Sequence, residues 1–284
     1  MSTANSVSRS AVSEEATSRV VWRAFAAIPI GSRSRVVLGA VSAIGLIAFC
    51  WPLLISEGSS IDHSADAPWV FALIVPFLIA VIAAEISDRG LDAKAIAMLG
   101  VLAAIGTALR PLGGGITGFQ PLFVVLVLGG YAFGAGFGFV LGAITMLTSA
   151  FLTGGAGPWL PFQMFAAAWV GMGAGLLPHV THRSRLWVLA LYGFISSLLF
   201  GLVMNLSFWP WTFGSDNQAS NPLAFVPGAP TSVNLHHFIT FHITTSLGWD
   251  LTRGIGTVIL VLVAGQPILA ALDRAGRKAH FVES

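Results

Sequence analysis

The sequence predicts an all-α integral membrane protein with about eight transmembrane helices. Hydrophobic residues make up 55% of the 284 residues, charged residues make up 9%, and the mean hydropathy is +0.83. Soluble domains carry about 25% charged residues. Apolar stretches long enough to cross about 30 Å of hydrocarbon as a helix recur along the chain. The alternating segments of about ten residues that build membrane β-barrels do not occur.

The apolar stretches define eight predicted spans, at residues 36–56, 68–87, 94–112, 120–134, 136–153, 162–178, 186–208 and 237–272. The last of these is long enough to be tilted or broken near Asp250 to Arg253. We expect four parts in the chain: a polar, disordered cytoplasmic tail at 1–35, two transmembrane helices at 36–92, a six-helix membrane domain at 93–275 and a second cytoplasmic tail at 276–284.

The basic residues predict the orientation of the spans in the plasma membrane. Cytoplasmic segments of membrane proteins carry an excess of Lys and Arg. With a cytoplasmic N-terminus, Arg110 and Arg253 alone among the 14 basic residues fall outside the cytoplasmic segments. The others are Arg9, Arg19, Arg23, Arg33, Arg35, Arg89, Lys94, Arg183, Arg185, Arg274, Arg277 and Lys278. An even number of spans then makes both termini cytoplasmic.

Glycine recurs every four residues in the middle of the chain, at Gly130, Gly134, Gly138 and Gly142. In an apolar setting, small residues at this spacing let neighbouring helices approach closely. A dinucleotide-binding loop would need a preceding strand and an aqueous βαβ unit. We therefore interpret the glycines as a helix-packing surface.

Several chemistries have no support in the sequence. Neither lysine, Lys94 or Lys278, follows a glycine, so the chain has no nucleotide-binding P-loop. No cluster of Cys and His has the spacing of a zinc site, and neither H-E-x-x-H nor G-x-S-x-G occurs. We expect no enzyme activity, no metal, no cofactor and no nucleic acid partner; the single cysteine, Cys50, excludes an intrachain disulfide.

Polar side chains within membrane spans are costly and mark functional sites. By the predicted topology, such side chains and several tryptophans lie toward the extracellular half, below a long outer loop at 207–235. We expect them to line an outward-facing pocket with aromatic walls. The predicted ligand-binding residues are Arg110, Gln120, Trp159, Gln163, Asn205, Trp209, Trp249, Asp250 and Arg253.

Structural roles compete with this functional interpretation. Asp250 and Arg253 are three residues apart, the spacing of an ion pair within one helix. Gln163 lies near a helix N-terminus, where an amide can bind free backbone groups. Tryptophans at a membrane interface are commonly anchors. For the neighbouring His236, His237 and His242 we expect hydrogen bonding at the aqueous rim rather than metal binding.

The stretch at 108–178, which begins ALRPLGGGITGFQP, resembles the substrate-binding S components of energy-coupling factor (ECF) vitamin transporters. The resemblance covers residues 93–275 and implies that family's six-helix core, preceded here by two additional helices. It also implies capture of a vitamin or related micronutrient from outside. Transport would then require a membrane-embedded T component and two cytoplasmic ATP-binding subunits. The small residues by which the family docks on the T component match Ala104 and Ala108.

Two functions remain open from the sequence. The first is the substrate-specific subunit of an ECF-type ABC importer, and the second is a self-sufficient secondary transporter or an intramembrane enzyme. The second predicts paired carboxylates in the membrane, whereas Glu85, Asp88 and Asp92 cluster at a predicted cytoplasmic turn. An aromatic pocket with few charges suits a large or planar, weakly charged ligand, with cobalamin the first candidate and riboflavin-like molecules next.

Overall fold

The computed structural model describes residues 32–54, 93–113, 118–157, 159–180, 182–213 and 221–280. Within these ranges every regular element is helical. Most of the predicted N-terminal tail and the whole predicted span at 68–87 lie outside the described residues.

The helices follow one another in chain order with short connections. They are α1 (Ser32–Phe49), α2 (Trp51–Leu54), α3 (Ala93–Leu109), α4 (Leu122–Phe133), α5 (Ala135–Thr153), α6 (Leu160–Gly175), α7 (His182–Phe208), α8 (Thr231–Phe241) and α9 (Leu247–His280). Short 3-10 turns follow α3 and α7, at Pro111–Gly113 and Trp209–Trp211. A π-helical turn at His242–Ser246 joins α8 to α9.

Four described segments are long and apolar enough to cross a membrane: Ala93–Gly113, Ala135–Thr153, Ser184–Trp211 and Thr231–Gly276. Shorter apolar helices lie at Arg35–Phe49 and Leu122–Phe133. The protein is therefore a helical, multi-pass membrane protein.

The α4 helix is the centre of the bundle. It is apolar along its whole length, and ten of its residues are buried. The helices α3, α5, α6, α7 and α9 all contact it. Because an all-round apolar helix has no polar face to turn toward water or headgroups, burial among other helices is the arrangement its sequence favours.

Glycines bring α4, α5 and α6 into close contact, as the four-residue spacing predicted. A Cβ atom at Gly130 or Gly138 would overlap the carbonyl of Gly171 on α6, and one at Gly142 would overlap the backbone of Ala167. Gly134 differs from these three, because it separates α4 from α5 with a φ of 99°. The packing interpretation of the other three is confirmed.

The last span differs from the prediction in its start and in the position of its irregular turn. Its helical segment begins at Thr231 rather than at 237, and α9 continues to His280, into the segment predicted as a tail. The irregular turn lies at His242–Ser246 and not near Asp250 to Arg253, which belong to the regular helix α9.

The additional N-terminal helix α1 packs against α6 and α7. The indole of Trp169 on α6 donates to Ser42 Oγ at 3.1 Å. Phe49 is buried against Phe162, with 4.9 Å between ring centroids. Small residues on α1 allow this contact, since Gly45 lies directly against the ring of Phe165.

One end of the bundle carries the paired basic residue Arg185. Its guanidinium binds Asp273 of α9 at 2.9 Å and lies over the ring of Tyr131, 5.3 Å from its centroid. His179, in the connection between α6 and α7, stacks on the same ring. Burial, and then the charge of Arg185, lower the pKa of His179 below its ordinary value. The opposite end carries Arg110 and the described residues 209–213 and 221–231.

Candidate functional site

Arg110 links three helices at the end of the bundle opposite to Arg185. It follows directly after α3, and its guanidinium reaches both neighbouring helices. One terminal nitrogen donates to Ser149 Oγ on α5 at 2.6 Å, and the other donates to Gln163 Oε1 on α6 at 3.0 Å. Two predicted site residues, Arg110 and Gln163, are therefore in direct contact.

The positions of the partners follow from their helices. Ser149 is fully buried near the end of α5, where its hydroxyl also donates to the Met146 carbonyl at 2.9 Å. Gln163 lies in the first turn of α6, two residues after Pro161. Proline is favoured at the start of a helix because it has no backbone N–H that would need a partner there. The Gln163 amide is thus aimed at Arg110 instead of capping its own helix.

A second polar cluster lies between α7 and α9. Arg253 donates to Asp250 Oδ1 at 2.6 Å and to the Ser197 carbonyl at 3.0 Å. Both charged residues are almost fully buried, with 2% of Asp250 and 6% of Arg253 exposed. The structure thus contains the ion pair that the spacing of three residues allows.

Aromatic rings enclose the arginine of this pair. The guanidinium of Arg253 lies 5.7 Å from the ring centroid of Phe123 on α4 and 5.1 Å from that of Phe200 on α7. Cation–π contacts at such distances stabilise a cation, and more strongly where water is excluded. The pair therefore joins α4, α7 and α9 in the bundle interior.

His242 extends the cluster to Asn205. The His242 ring lies 3.8 Å from Asp250 Oδ2 through Nε2, and 2.9 Å from the amide nitrogen of Asn205 through Nδ1. His242 opens the π-helical turn, and such turns occur frequently at functional sites. Three predicted site residues, Asn205, Asp250 and Arg253, thus belong to one connected network.

The three predicted tryptophans have different surroundings. Trp209 is fully buried, donates to the Leu223 carbonyl at 2.6 Å and packs on Phe225 and Phe238. Trp249 on α9 is 51% exposed on the outside of the bundle, as an interfacial anchor would be. Trp159 is also exposed, and its indole donates to the Gly155 carbonyl at 3.1 Å.

Gln120 lies in the connection that leads into α4. Its carbonyl accepts a hydrogen bond from the Phe123 N–H at 3.2 Å. The same connection runs along α9, because Gly118 lies against the Trp249 backbone and Phe119 lies against Gly256. The segment 114–117 lies outside the described residues.

Trp209, Phe225, Phe238 and Phe241 form a small apolar core of their own, which we call the outer cap. It joins the end of α7, the 221–230 segment and α8. Asn234 supports it by binding both the N–H and the carbonyl of Val226, each at 2.9 Å. The described part of the long predicted loop therefore has a packed core.

Sequence reasoning missed two polar members of these clusters. Ser149 is one of several small residues in α5, and small residues are common in packed membrane helices. The sequence therefore does not distinguish it as a site residue. For His242 the sequence predicts only hydrogen bonding at the aqueous rim, and the structure adds its contacts with Asp250 and Asn205. Among the described residues, no three side chains of His, Cys, Asp or Glu are grouped so that they could hold a metal ion.

The predicted docking residues Ala104 and Ala108 lie on the exposed side of α3. The opposite side of this helix packs inward, where Gly106 lies against Thr145 of α5. Larger apolar residues, Val101 and Ile105, are exposed beside the alanines. Ala104 and Ala108 thus belong to an outward-facing, apolar helix surface.

Comparison with known proteins supports the family. No match was found among curated proteins or among solved structures. The family model described as ECF transporter, substrate-specific component, matches residues 94–265. This range includes the helices from α3 to most of α9. Because this match extends over more than half of the chain, the protein belongs to the family of substrate-specific components of ECF transporters.

Proposed function

We propose that the protein captures a vitamin or related micronutrient from the extracellular side and delivers it through a complex with a T component and two ATP-binding subunits. In this function it is the binding subunit and not an enzyme. The observation that carries the proposal is the contact of Arg110 with Ser149 and Gln163, in the matched region, at the end opposite to the basic end of the bundle.

In the proposed site, Arg110 and Gln163 contact the ligand directly. Their polar atoms come from α3 and α6, so a ligand bound there would touch helices that are far apart in sequence. Gln120 and Trp159 lie at the ends of the connections that lead into α4 and α6, and we assign them to the proposed rim.

The remaining predicted residues form the proposed wall and cover of the site. Asn205, Asp250 and Arg253 hold α7 against α9 through their polar network. Trp209 lies in the core of the outer cap, and Trp249 follows the π-helical turn on α9. Substitution at these positions is expected to act through the shape of the site as well as through contact with the ligand.

The proposed orientation puts both termini in the cytoplasm and the outer cap outside the plasma membrane. It is supported by Arg185 and Arg274 at one end of the bundle, since basic residues concentrate on the cytoplasmic side. Eight spans are proposed, of which the one at 68–87 lies outside the described residues.

The exposed small residues of α3 support docking on a T component. Ala104 and Ala108 present little side chain, so a partner helix can approach closely. A test is affinity purification of the tagged chain from membranes in which a T component and two ATPases are co-expressed. We expect all four proteins to co-elute; elution of the chain alone under conditions that preserve a known S-component complex would contradict the proposal.

A second candidate function, a self-sufficient secondary transporter, is favoured by one feature. Asp250 lies in the bundle interior beside His242, and buried acids of this kind form proton relays in transporters. This alternative predicts ligand accumulation driven by a pH gradient in liposomes that contain the chain alone. The ECF proposal predicts binding without accumulation under the same conditions. Cobalamin is the first ligand to assay, followed by riboflavin.

A further inference from the structure

Charge balance distinguishes Arg110 from two other arginines of the bundle. Arg253 binds Asp250 and Arg185 binds Asp273, each through a carboxylate within 3 Å. In the part of the chain that the structure describes, Arg110 instead binds Ser149 and Gln163, and both are neutral. These partners fix the guanidinium in position, but they leave its positive charge uncompensated.

An uncompensated positive charge at the end of an apolar membrane helix costs free energy. Arg110 directly follows the 17-residue apolar helix α3 and is partly buried among α3, α5 and α6. Charged side chains in membrane segments are rare, and they pair with each other or face a polar cavity. A bound anion would therefore stabilise the guanidinium more than any neutral ligand.

The alternative is an arginine that extends to lipid headgroups. Long basic side chains near helix ends commonly do this, because the charged group then reaches water and phosphate. Arg110 instead uses both terminal nitrogens to bridge two other helices of its own bundle. The side chain is thus held inside the bundle end, where a ligand enclosed by the protein would meet it.

The geometry of the guanidinium favours a carboxylate. The group has five N–H donors in a flat fork that matches two carboxylate oxygens. Ser149 and Gln163 engage one donor on each terminal nitrogen, so further donors remain. One arginine also balances one carboxylate, whereas a phosphate monoester carries about −1.5 to −2 at neutral pH and would need a second cation. The Asp250–Arg253 pair adds no net charge.

We propose that Arg110 binds a single carboxylate of the captured ligand while Ser149 and Gln163 hold its guanidinium in position. The ligand is then a carboxylic acid, rather than a neutral vitamin such as riboflavin or a phosphorylated one. This inference rests on the proposed function, because it assigns a chemical class to the ligand of the same site.

The test uses detergent-purified full-length protein and compounds that differ only in the acid. Binding is measured by tryptophan fluorescence and thermal shift for pantothenate against pantothenol, nicotinate against nicotinamide, and biotin against biotinamide. Riboflavin, cobalamin and pyridoxal 5′-phosphate complete the panel. The variants are Arg110→Gln and Arg110→Lys, with Arg274→Gln as the control because Arg274 is exposed on the last part of α9, away from the site.

We expect at least one acid to bind about ten- to a hundredfold more tightly than its uncharged counterpart. Arg110→Gln should remove that preference, and Arg110→Lys should keep only part of it because a lysine lacks the fork. Arg274→Gln should bind like the wild type. Equal melting temperatures without ligand would show that the Arg110 variants are folded.

Other results overturn the inference in distinguishable ways. Tight binding of cobalamin or riboflavin, unchanged in Arg110→Gln, would leave the proposed function standing and exclude the carboxylate. Tight binding of pyridoxal 5′-phosphate alone would exclude it as well. If native mass spectrometry showed that Arg110→Gln loses a bound phospholipid while acid binding is unchanged, Arg110 would be a lipid contact. If no compound bound the wild type, the vitamin-binding function and the inference would both fail.

Discussion

Arg110 and Arg253 show two ways in which a membrane bundle holds an arginine. Arg253 is enclosed by an acid, a backbone carbonyl and two phenylalanine rings. Arg110 is held by two neutral side chains and is less buried. Within the described ranges, the first arginine is paired with a carboxylate, whereas the second has only neutral partners.

Gln163→Leu tests the contribution of the amide to binding. The change removes the Oε1 acceptor of Arg110 and a proposed ligand contact, and it introduces an apolar side chain of similar size. We expect about tenfold weaker ligand binding or more, with little change in thermal stability. Isothermal titration on the folded variant measures the affinity. Wild-type affinity would exclude Gln163 from the site.

Asp250→Ala tests the buried network. Removal of one partner of a buried ion pair leaves an uncompensated charge and costs about 3–5 kcal/mol. We expect a low yield of monodisperse protein and a lower melting temperature, measured by fluorescence-detected size-exclusion chromatography. The double variant Asp250→Ala/Arg253→Met should recover much of the loss, because the charge is then removed together with its partner. A well-folded Asp250→Ala protein with weakened ligand binding would instead identify Asp250 as a ligand contact.

At the scale of the elements, the short helix α2 contacts the outer cap and the residues beside it. The Trp51 indole donates to the Ser207 carbonyl at 3.4 Å, and its ring lies 5.3 Å from that of Trp211. The hydroxyl of Thr231, at the start of α8, donates to the Leu53 carbonyl at 3.4 Å. The α2 helix thus contacts both the end of α7 and the start of α8.

Trp51→Ala should loosen the outer cap without unfolding the bundle. The change removes ring contacts with Trp211 and Phe225 at the edge of the cap. We expect faster hydrogen–deuterium exchange in 221–231, while the amides of α4 keep their protection because that helix is central. Trp187→Ala on α7 is the matched control, since Trp187 is exposed at the other end of the bundle. Unchanged exchange in the cap would show that Trp51 does not support it.

The α3 surface gives a second prediction for an element. Ala104→Leu or Ala108→Leu should weaken complex formation with a T component and leave ligand affinity nearly unchanged, because both alanines are exposed and close helix approach needs small side chains. Pull-down of the T component measures the first effect, and titration measures the second. An unchanged pull-down with both variants would locate docking on another surface.

Hydropathy predicted most of the helices because membrane spans are defined by long apolar runs. It missed the start of α8, since Ser232, Asn234, His236 and His237 lower the hydropathy of that segment. In the structure Phe238 packs against Trp209, and Phe241 belongs to the same apolar cluster, which favours the helix. The start of α8 therefore depends on packing between distant parts of the chain, which a hydropathy profile does not report.

The candidate site was predictable as residue types more than as contacts. Arginine, glutamine and aspartate are rare within apolar spans, and this rarity predicts a functional site. The residues identified in this way are Arg110, Gln163, Asp250 and Arg253. Their division into two clusters depended on which helices are neighbours, which the sequence does not specify. Ser149 became visible only through its contact with Arg110.

At the scale of the whole molecule, the chain belongs to the S-component family, and its two ends differ in the way that the proposed function requires. The bundle has a basic end and, opposite to it, an end with Arg110 and the outer cap. The sequence contains no nucleotide-binding P-loop, so energy for uptake must come from partner subunits if the ECF proposal holds.

Reconstitution in liposomes is the most direct test of that proposal. The ligand that co-purifies with the protein is identified by mass spectrometry and offered in radiolabelled form to liposomes with the chain alone, or with a T component and two ATPases. We predict binding but no accumulation by the chain alone, with or without a pH gradient, and ATP-dependent accumulation by the full complex. Accumulation against a gradient by the chain alone would contradict the central claim.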